Sequence, residues 1–147
     1  SKWKMSFGNC VAYARSIRMI DHRPELTAEI AMKNPAAILV YSVVPVHIQM
    51  QVVYNDPDTI RFIRTPHRET KKLAIRLSPA TIRYIDNLDQ ELQLCAIKAG
   101  ASVRWISDPT PAVQLAAINR YPMEIFCISN PTEDAKKLAV KFQRGVF

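Results

Sequence analysis

Aliphatic side chains recur along this chain in a fixed register. The equivalent positions are Ala31, Val53, Ile75, Ile97, Ile118 and Val140, which lie 22, 22, 22, 21 and 22 residues apart. A period held over this length is typical of stacked arrays, in which each repeat buries its apolar face against its neighbours. The register predicts five repeats of about 22 residues over 24–130. A half repeat over 131–147 is predicted to cap the array.

The first part of each repeat is predicted to be a short amphipathic helix. Leu92, Cys95 and Ala96 follow the i, i+3, i+4 spacing of one buried helical face. Val113, Ala116 and Ala117 repeat that spacing in the next unit. Helices this short are marginal alone, so their stability must come from packing on neighbouring repeats.

The second part of each repeat is predicted to be a second short helix that begins at a proline. A capping side chain stands directly before that proline in Asn34-Pro35, Asp56-Pro57 and Ser78-Pro79. Apolar residues three apart then follow and predict a buried seam. These pairs are Ile60 with Ile63, Ile82 with Ile85, Val103 with Ile106 and Ile125 with Ile128.

Two regions depart from the repeat. The fourth repeat has Gly100-Ala101 in place of the proline pair and is one residue short before Val103, which predicts a weaker or shifted helix start. Residues 1–23 contain a degraded match at 16–21, which predicts an amino-terminal cap. Prolines at this regular spacing would interrupt strand pairing. The predicted fold is therefore all-α, a right-handed, solenoid-like stack of short helix pairs forming one domain over 1–147.

Two stretches carry a resemblance to a known repeat type. They are QLAAINRYPMEIFCISNPTED at 114–134 and KKLAIRLSPATIRYID at 71–86. They resemble the short two-helix repeat arrays of an uncharacterised family found in bacterial, bacteriophage and giant-virus proteins, where phrases like LAAIxxNPxAIxYIxNPSEE recur. The resemblance covers roughly 24–143 and implies this architecture without any agreed chemistry. A viral or phage origin would imply a host-directed interaction or an inhibitory role.

Composition narrows the partner and the compartment. With 20 Lys and Arg against 13 Asp and Glu, the net charge of +7 favours an acidic partner, such as nucleic acid, an anionic protein face or a membrane surface. The longest apolar run, near Ala36 to Val46, is interrupted and too short to span a bilayer, so no membrane span is expected. Three cysteines without a CxxC pair argue against a disulfide framework and predict a reducing, cytoplasmic setting.

Candidate catalytic and metal-binding groups are sparse. His22, His47 and His67 lie 25 and 20 residues apart with no second ligand type at metal spacing. Cys95 and Cys127 stand at repeat positions that other units fill with apolar residues, so both are interpreted as packing residues. Glycine-dependent phosphate and nucleophile motifs are absent from the sequence. No enzyme, cofactor or metal is predicted, and an enzyme would require a deep polar pocket with convergent titratable groups.

Basic residues form the strongest candidate binding feature. Arg61, Arg83 and Arg104 follow the first seam residue in three consecutive repeats, and Arg18 matches them in the degraded unit. A second set, Arg76 and Lys98 with Lys141, recurs just after the Ile75, Ile97 and Val140 positions. Stacked repeats would align these side chains in rows.

Aromatic residues follow the arginines, as Phe62, Tyr84 and Trp105. They are about 100° round a helix from the arginines, so the two rows are not expected to share one face fully. Two interpretations stay open. In the first, the rings are wedges between repeats and the arginines lie at the solvated edges of the helices; in the second, both bind an extended acidic ligand.

The first functional hypothesis is a non-enzymatic module that binds a protein along its repeat surface. The alternative is nucleic-acid binding through the arginines and lysines.

Overall fold

The structure is a computed structural model that describes residues 25–144. Over these residues the chain alternates α-helices with 3₁₀ helices and contains no strand, which confirms the predicted all-α class. The α-helices are α1 (Ala28–Lys33), α2 (Val46–Asn55), α3 (Arg68–Leu77), α4 (Gln90–Ala99), α5 (Pro111–Arg120) and α6 (Glu133–Gln143). The 3₁₀ helices are η1 (Pro35–Val40), η2 (Pro57–Phe62), η3 (Pro79–Tyr84), η4 (Val103–Trp105) and η5 (Pro122–Cys127).

The chain divides into two compact units, Ser1–Leu77 and Ser78–Phe147. In the first unit, η2 packs against η1, against its own helix α2 and against the following helix α3. In the second unit, η5 packs in the same way against η4, α5 and α6. Stacking of successive repeats is therefore present within each unit. The prediction of a single domain over 1–147 stays a prediction.

The second helix of each repeat is a 3₁₀ helix, in which three residues make a turn. In η2, the Ile63 amide donates to the Ile60 carbonyl at 3.1 Å, and Ile63 then leaves the helix with extended backbone. Three residues per turn place positions i and i+3 on one face, so Ile60 and Ile63 are both buried. The predicted seam is confirmed by the same burial of Ile82, Ile85, Val103, Ile106 and Ile128, while Ile125 is only half-buried.

The predicted side-chain caps of the 3₁₀ helices are present at one of the three proline pairs. Asp56 Oδ1 accepts a hydrogen bond from the Asp58 amide at 3.1 Å. Asn34 and Ser78 make no capping hydrogen bond with their side chains, so the prediction is wrong there. In a 3₁₀ helix, the amide of the third helical residue donates to the backbone carbonyl of the capping residue, and the proline at the first position has no N–H. Only the amide of the second residue is left for a cap to satisfy, so the side chain of the capping residue is less important than in an α-helix.

The fourth repeat begins its 3₁₀ helix late, as predicted. Gly100 ends α4 in the left-handed region at φ 110°, and η4 has only three residues. With no proline at its start, η4 is capped from the next repeat, where Glu124 accepts a hydrogen bond from the Val103 amide at 2.8 Å. The Ser102 hydroxyl donates to the same carboxylate at 3.2 Å. Glu124 therefore adds to the local cap, in which the Ser102 hydroxyl oxygen accepts a hydrogen bond from the Arg104 amide at 3.3 Å.

The buried face of the α-helices differs in part from the predicted one. Leu92 and Ala96 are buried as expected, whereas Cys95 and its equivalent Ala116 are only half-buried. A glutamine completes the buried face instead, and Gln93 is 7% exposed. The prediction was wrong at Cys95 and Ala116 because it considered only apolar residues as candidates for the buried face. Gln49 and Gln114 are buried at the same place in their repeats.

Each buried glutamine joins two loops. Gln93 Nε2 donates to the Leu88 carbonyl before its own helix at 3.0 Å, and Gln93 Oε1 accepts from the Thr110 amide before the next helix at 3.3 Å. The side chain therefore satisfies backbone groups of two successive repeats and fixes their spacing. The equivalent bonds join Gln49 to Val44 and His67, and Gln114 to Pro109 and Thr132.

The predicted half repeat at the carboxyl end contains the helix α6. The predicted amino-terminal cap over 1–23, with Arg18, lies outside the described residues. No helix within 25–144 has the length and hydropathy needed to cross a membrane.

Candidate functional site

The arginines of the predicted row lie on the 3₁₀ helices. Arg61 is on η2 of the first unit, while Arg83 on η3 and Arg104 on η4 belong to the second unit. All three side chains are exposed. Their position follows directly from the sequence, because each comes one residue after a buried seam residue on a three-residue turn.

Two of these arginines stack on the aromatic residue that follows them. The Arg61 guanidinium carbon lies 4.8 Å from the ring centroid of Phe62, and that of Arg83 lies 4.9 Å from the ring centroid of Tyr84. Separate rows for arginines and aromatics were expected, but the long arginine side chain bends back over its neighbour. Each pair forms one cationic, planar surface of the kind that cation–π attraction stabilises.

The third arginine has a different partner. Arg104 Nη2 lies 3.6 Å from Cys127 Sγ in the next repeat. The ring of Trp105 is 51% exposed, whereas Phe62 and Tyr84 are half-buried. Trp105 therefore fits the wedge alternative less well than Phe62 and Tyr84, and it contributes a large exposed aromatic surface.

Arg76 and Lys98 lie in the last turns of α3 and α4, and both are exposed. A basic side chain is favoured there by the helix dipole, so its placement has a structural reason. The Lys98 carbonyl accepts a hydrogen bond from Arg120 Nη1 at 3.0 Å. Arg18 lies outside the described residues.

A polar cavity of about 540 Å³ lies in the second unit, between the loops that follow η3 and η4. Three carboxylates line it, from Asp86, Asp89 and Asp108, together with Trp105. Asp89 also caps α4, since its Oδ1 accepts a hydrogen bond from the Leu92 amide at 3.0 Å. Carboxylates of like charge around one cavity disfavour a phosphate ligand there. Sequence inspection missed it because its carboxylates come from two repeats and form no motif along the chain.

An apolar groove of about 570 Å³ crosses the α-helices of the first unit. Its lining comes from three successive helices, with Met32 on α1, Met50 and Tyr54 on α2, and Leu73 on α3. Tyr54 is 72% exposed and Met32 is 42% exposed. We call this surface the methionine groove. The repeat pattern did not indicate it, because the outward positions of the helices share no residue type.

A second apolar groove, of about 320 Å³, lies between η5 and α6 in the second unit. Its apolar lining includes Met123 and Phe126, which are 71% and 76% exposed. Phe126 holds the repeat position of Arg61 and Arg83, so a phenylalanine replaces the exposed arginine. We call this surface the η5–α6 groove. The remaining lining residues are Pro122, Ile125, Lys136, Ala139, Val140 and Gln143.

The histidines and cysteines of the described residues form no cluster. No group of three metal-ligating side chains occurs within 25–144. His67 serves α3, because its Nδ1 accepts a hydrogen bond from the Glu69 amide at 3.1 Å. Cys95 and Cys127 are free and half-buried.

One carboxyl has a shifted pKa. The pKa of Glu29 lies below its ordinary value because Lys33 Nζ donates a hydrogen bond to it at 2.9 Å and adds a nearby positive charge. Both side chains are exposed on α1, and neither lines a groove. The pair is therefore a solvated helix contact.

Comparison with protein-family models, with curated proteins and with solved structures finds no match for this chain.

Proposed function

We propose that this protein is a non-enzymatic module that binds another protein along its repeat surface, and that the methionine groove is its main contact. The observation that supports this is an apolar groove shared by three successive helices of the first unit. Burial of Tyr54 and Met32 by a partner would remove apolar area that is now in contact with water, which favours association.

The residue types of the groove suit a protein partner. Methionine side chains are flexible and polarisable, so they adapt to different apolar side chains. Tyr54 offers a large apolar ring with a polar tip, a combination that is common in protein interfaces. A partner helix with apolar residues on one face fits a groove of this kind. The resemblance to phage and viral repeats favours a host protein as the partner, and the cysteine pattern favours a reducing, cytoplasmic setting.

The proposal is tested by affinity capture from a lysate of the native host, with and without nuclease. We expect one protein to be retained under both conditions and to be lost with the double variant Met32→Asp, Tyr54→Asp. Val43→Asp is the matched control, because Val43 is 78% exposed in the same unit but does not line the groove. Retention of the same protein by the groove variant would contradict the proposal.

Nucleic-acid binding is a second candidate, and the stacked pairs Arg61 with Phe62 and Arg83 with Tyr84 favour it. In such pairs the exposed guanidinium can contact a phosphate or stack on a base. The charge distribution is less favourable. Residues 78–144 hold eight basic and seven acidic side chains, and residues 1–24 supply four of the seven net positive charges.

Oligonucleotide titrations at several salt concentrations test this candidate. Binding should weaken as salt rises, with a log–log slope of about one for each phosphate contact. The triple variant with Glu at 61, 83 and 104 should abolish that binding. Unchanged affinity in the triple variant would exclude the arginines as the nucleic-acid site.

A further inference from the structure

One repeat position has a different environment in its last occurrence. Five of the six residues that define the register are almost completely buried, with Ala31, Val53, Ile75 and Ile118 at 0% exposure and Ile97 at 2%. Val140 on α6 holds the same position and is 42% exposed. Val140 therefore holds a position that is apolar in every repeat, but its side chain is in contact with water.

The second unit shows what occupies this place in an interior repeat. The helix α5 carries Ile118, and the 3₁₀ helix of the same repeat, η5, packs on α5 and against the preceding 3₁₀ helix η4. One repeat later, a further 3₁₀ helix would pack on α6 and against η5 in the same way. The η5–α6 groove is lined by these same two elements. Within 25–144, no 3₁₀ helix follows α6. The groove is thus the continuation of an interface that the fold already builds between its repeats.

We propose that the η5–α6 groove binds a proline-initiated 3₁₀ segment of a partner protein, with the pattern Xaa-Pro-x-x-Ile-x-aromatic-Ile. This inference rests on the proposed role in protein binding but assigns a different site and a defined partner chemistry. The proline sets the backbone for the turn, and the two isoleucines share one face of it. In η2 the equivalent residues, Ile60 and Ile63, are 1% and 5% exposed against their own unit.

The lining of the groove matches such a segment. Met123, Phe126 and Val140 provide exposed apolar surface for the isoleucines and the ring. The charged residue of the lining is Lys136, and its charge is already paired, since its Nζ donates a hydrogen bond to Glu133 Oε1 at 3.1 Å. Phe126 makes this surface apolar where three other repeats present an arginine.

A second copy of this chain is a poorer occupant than a partner segment. The described turns of the required pattern are already packed in their own units, since Ile60 and Ile82 are 1% and 3% exposed. A second copy would have to expose one of these buried residues before its turn could dock, and that exposure costs folding free energy.

The test uses the full 147-residue chain and a fluorescent peptide with the sequence of residues 55–64, NDPDTIRFIR. Fluorescence anisotropy should show saturable binding. Val140→Asp should weaken that binding by about tenfold or more, since it places a charge in an apolar contact. Phe126→Arg, which places the arginine of three other repeats at a position that is 76% exposed, should also weaken it. Val43→Asp should leave the affinity within about twofold.

A peptide in which Asp replaces the residue equivalent to Ile60 should not bind. Absence of binding by the natural peptide, or equal binding by the wild type and by both groove variants, would overturn the proposal. A requirement for removal of residues 145–147 would show that the chain itself occupies the groove. Concentration-dependent dimerisation in sedimentation experiments that Val140→Asp abolishes would assign the groove to a second copy. Either result would also overturn it.

The two proposals fail separately. If the captured protein is lost with the Met32 and Tyr54 variant while the peptide does not bind, the methionine groove stands and the η5–α6 assignment fails. If the peptide binds while capture does not depend on Met32 and Tyr54, the η5–α6 assignment stands and the methionine groove proposal fails.

Discussion

The 3₁₀ helices η2 in the first unit and η5 in the second have the same length and the same proline start, but they present different side chains to solvent. In η2 the exposed position holds Arg61, stacked on Phe62. In η5 it holds Phe126, which is 76% exposed beside an apolar groove. The comparison shows that this backbone does not depend on the exposed residue. That position can therefore vary from repeat to repeat without changing the 3₁₀ helix.

The interiors of the two units, by contrast, are built in the same way. Gln49 in the first unit and Gln93 in the second each join two loops through an Nε2 donor and an Oε1 acceptor. Val53 and Ile118 are fully buried at one repeat position. Substitutions in this shared interior should therefore lower stability more than substitutions on the variable surface.

The largest effect is expected at the register position itself. Ile118→Ala should lower the free energy of unfolding by about 2–5 kcal/mol, because it leaves a cavity in the interior. Val140→Ala, at the same repeat position but half open to water, should cost only ~0.5 kcal/mol. Urea denaturation monitored by circular dichroism measures both. Equal losses would show that Val140 is packed in solution.

The buried glutamines should follow. Gln93→Leu should cost about 1–3 kcal/mol, because the Leu88 carbonyl and the Thr110 amide would lose their hydrogen-bond partner in a buried setting. Gln90→Leu, on the exposed start of the same helix, should change stability by less than ~0.5 kcal/mol. The same denaturation experiment separates the two. A neutral Gln93→Leu would mean that the bridge does not set the spacing of the repeats.

The start of η4 should depend on Glu124. Glu124→Ala removes the acceptor for the Val103 amide and should cost about 1–2 kcal/mol, since the carboxylate is only partly buried. Glu124→Gln keeps an oxygen acceptor and should lose less. Hydrogen exchange at the Val103 amide provides a local measurement. Unchanged protection in the alanine variant would contradict the cap.

The smallest effect is expected on the surface. Arg61→Ala should cost about 0.5–1 kcal/mol through loss of its stacking on Phe62. Arg76→Ala, an exposed arginine at a helix end in the same unit, is the comparison variant and should cost no more than Arg61→Ala. Thermal unfolding measures both variants. A loss of several kcal/mol at Arg61 would place it in the shared interior.

Several features could be predicted from sequence because each repeats with a constant local cause. The burial of Ile60 and Ile63 follows from three-residue spacing, and the late start of η4 follows from the missing proline. The 3₁₀ geometry was not predicted, since a proline start and pairs three apart are compatible with either helix type. The glutamine bridges were missed because a polar residue on a buried face is invisible to a search for apolar periodicity.

The 22-residue register, the helix pairs and the buried aliphatic positions follow from the sequence alone, because short-range spacing and proline placement encode them. Packing between repeats sets which residues from different repeats meet. It brings Met32, Tyr54 and Leu73 to one groove and Phe126 and Val140 to another. The Arg61 side chain also bends back over Phe62. These contacts join residues that are distant in the chain or depend on side-chain conformation, and neither property can be read from a local pattern.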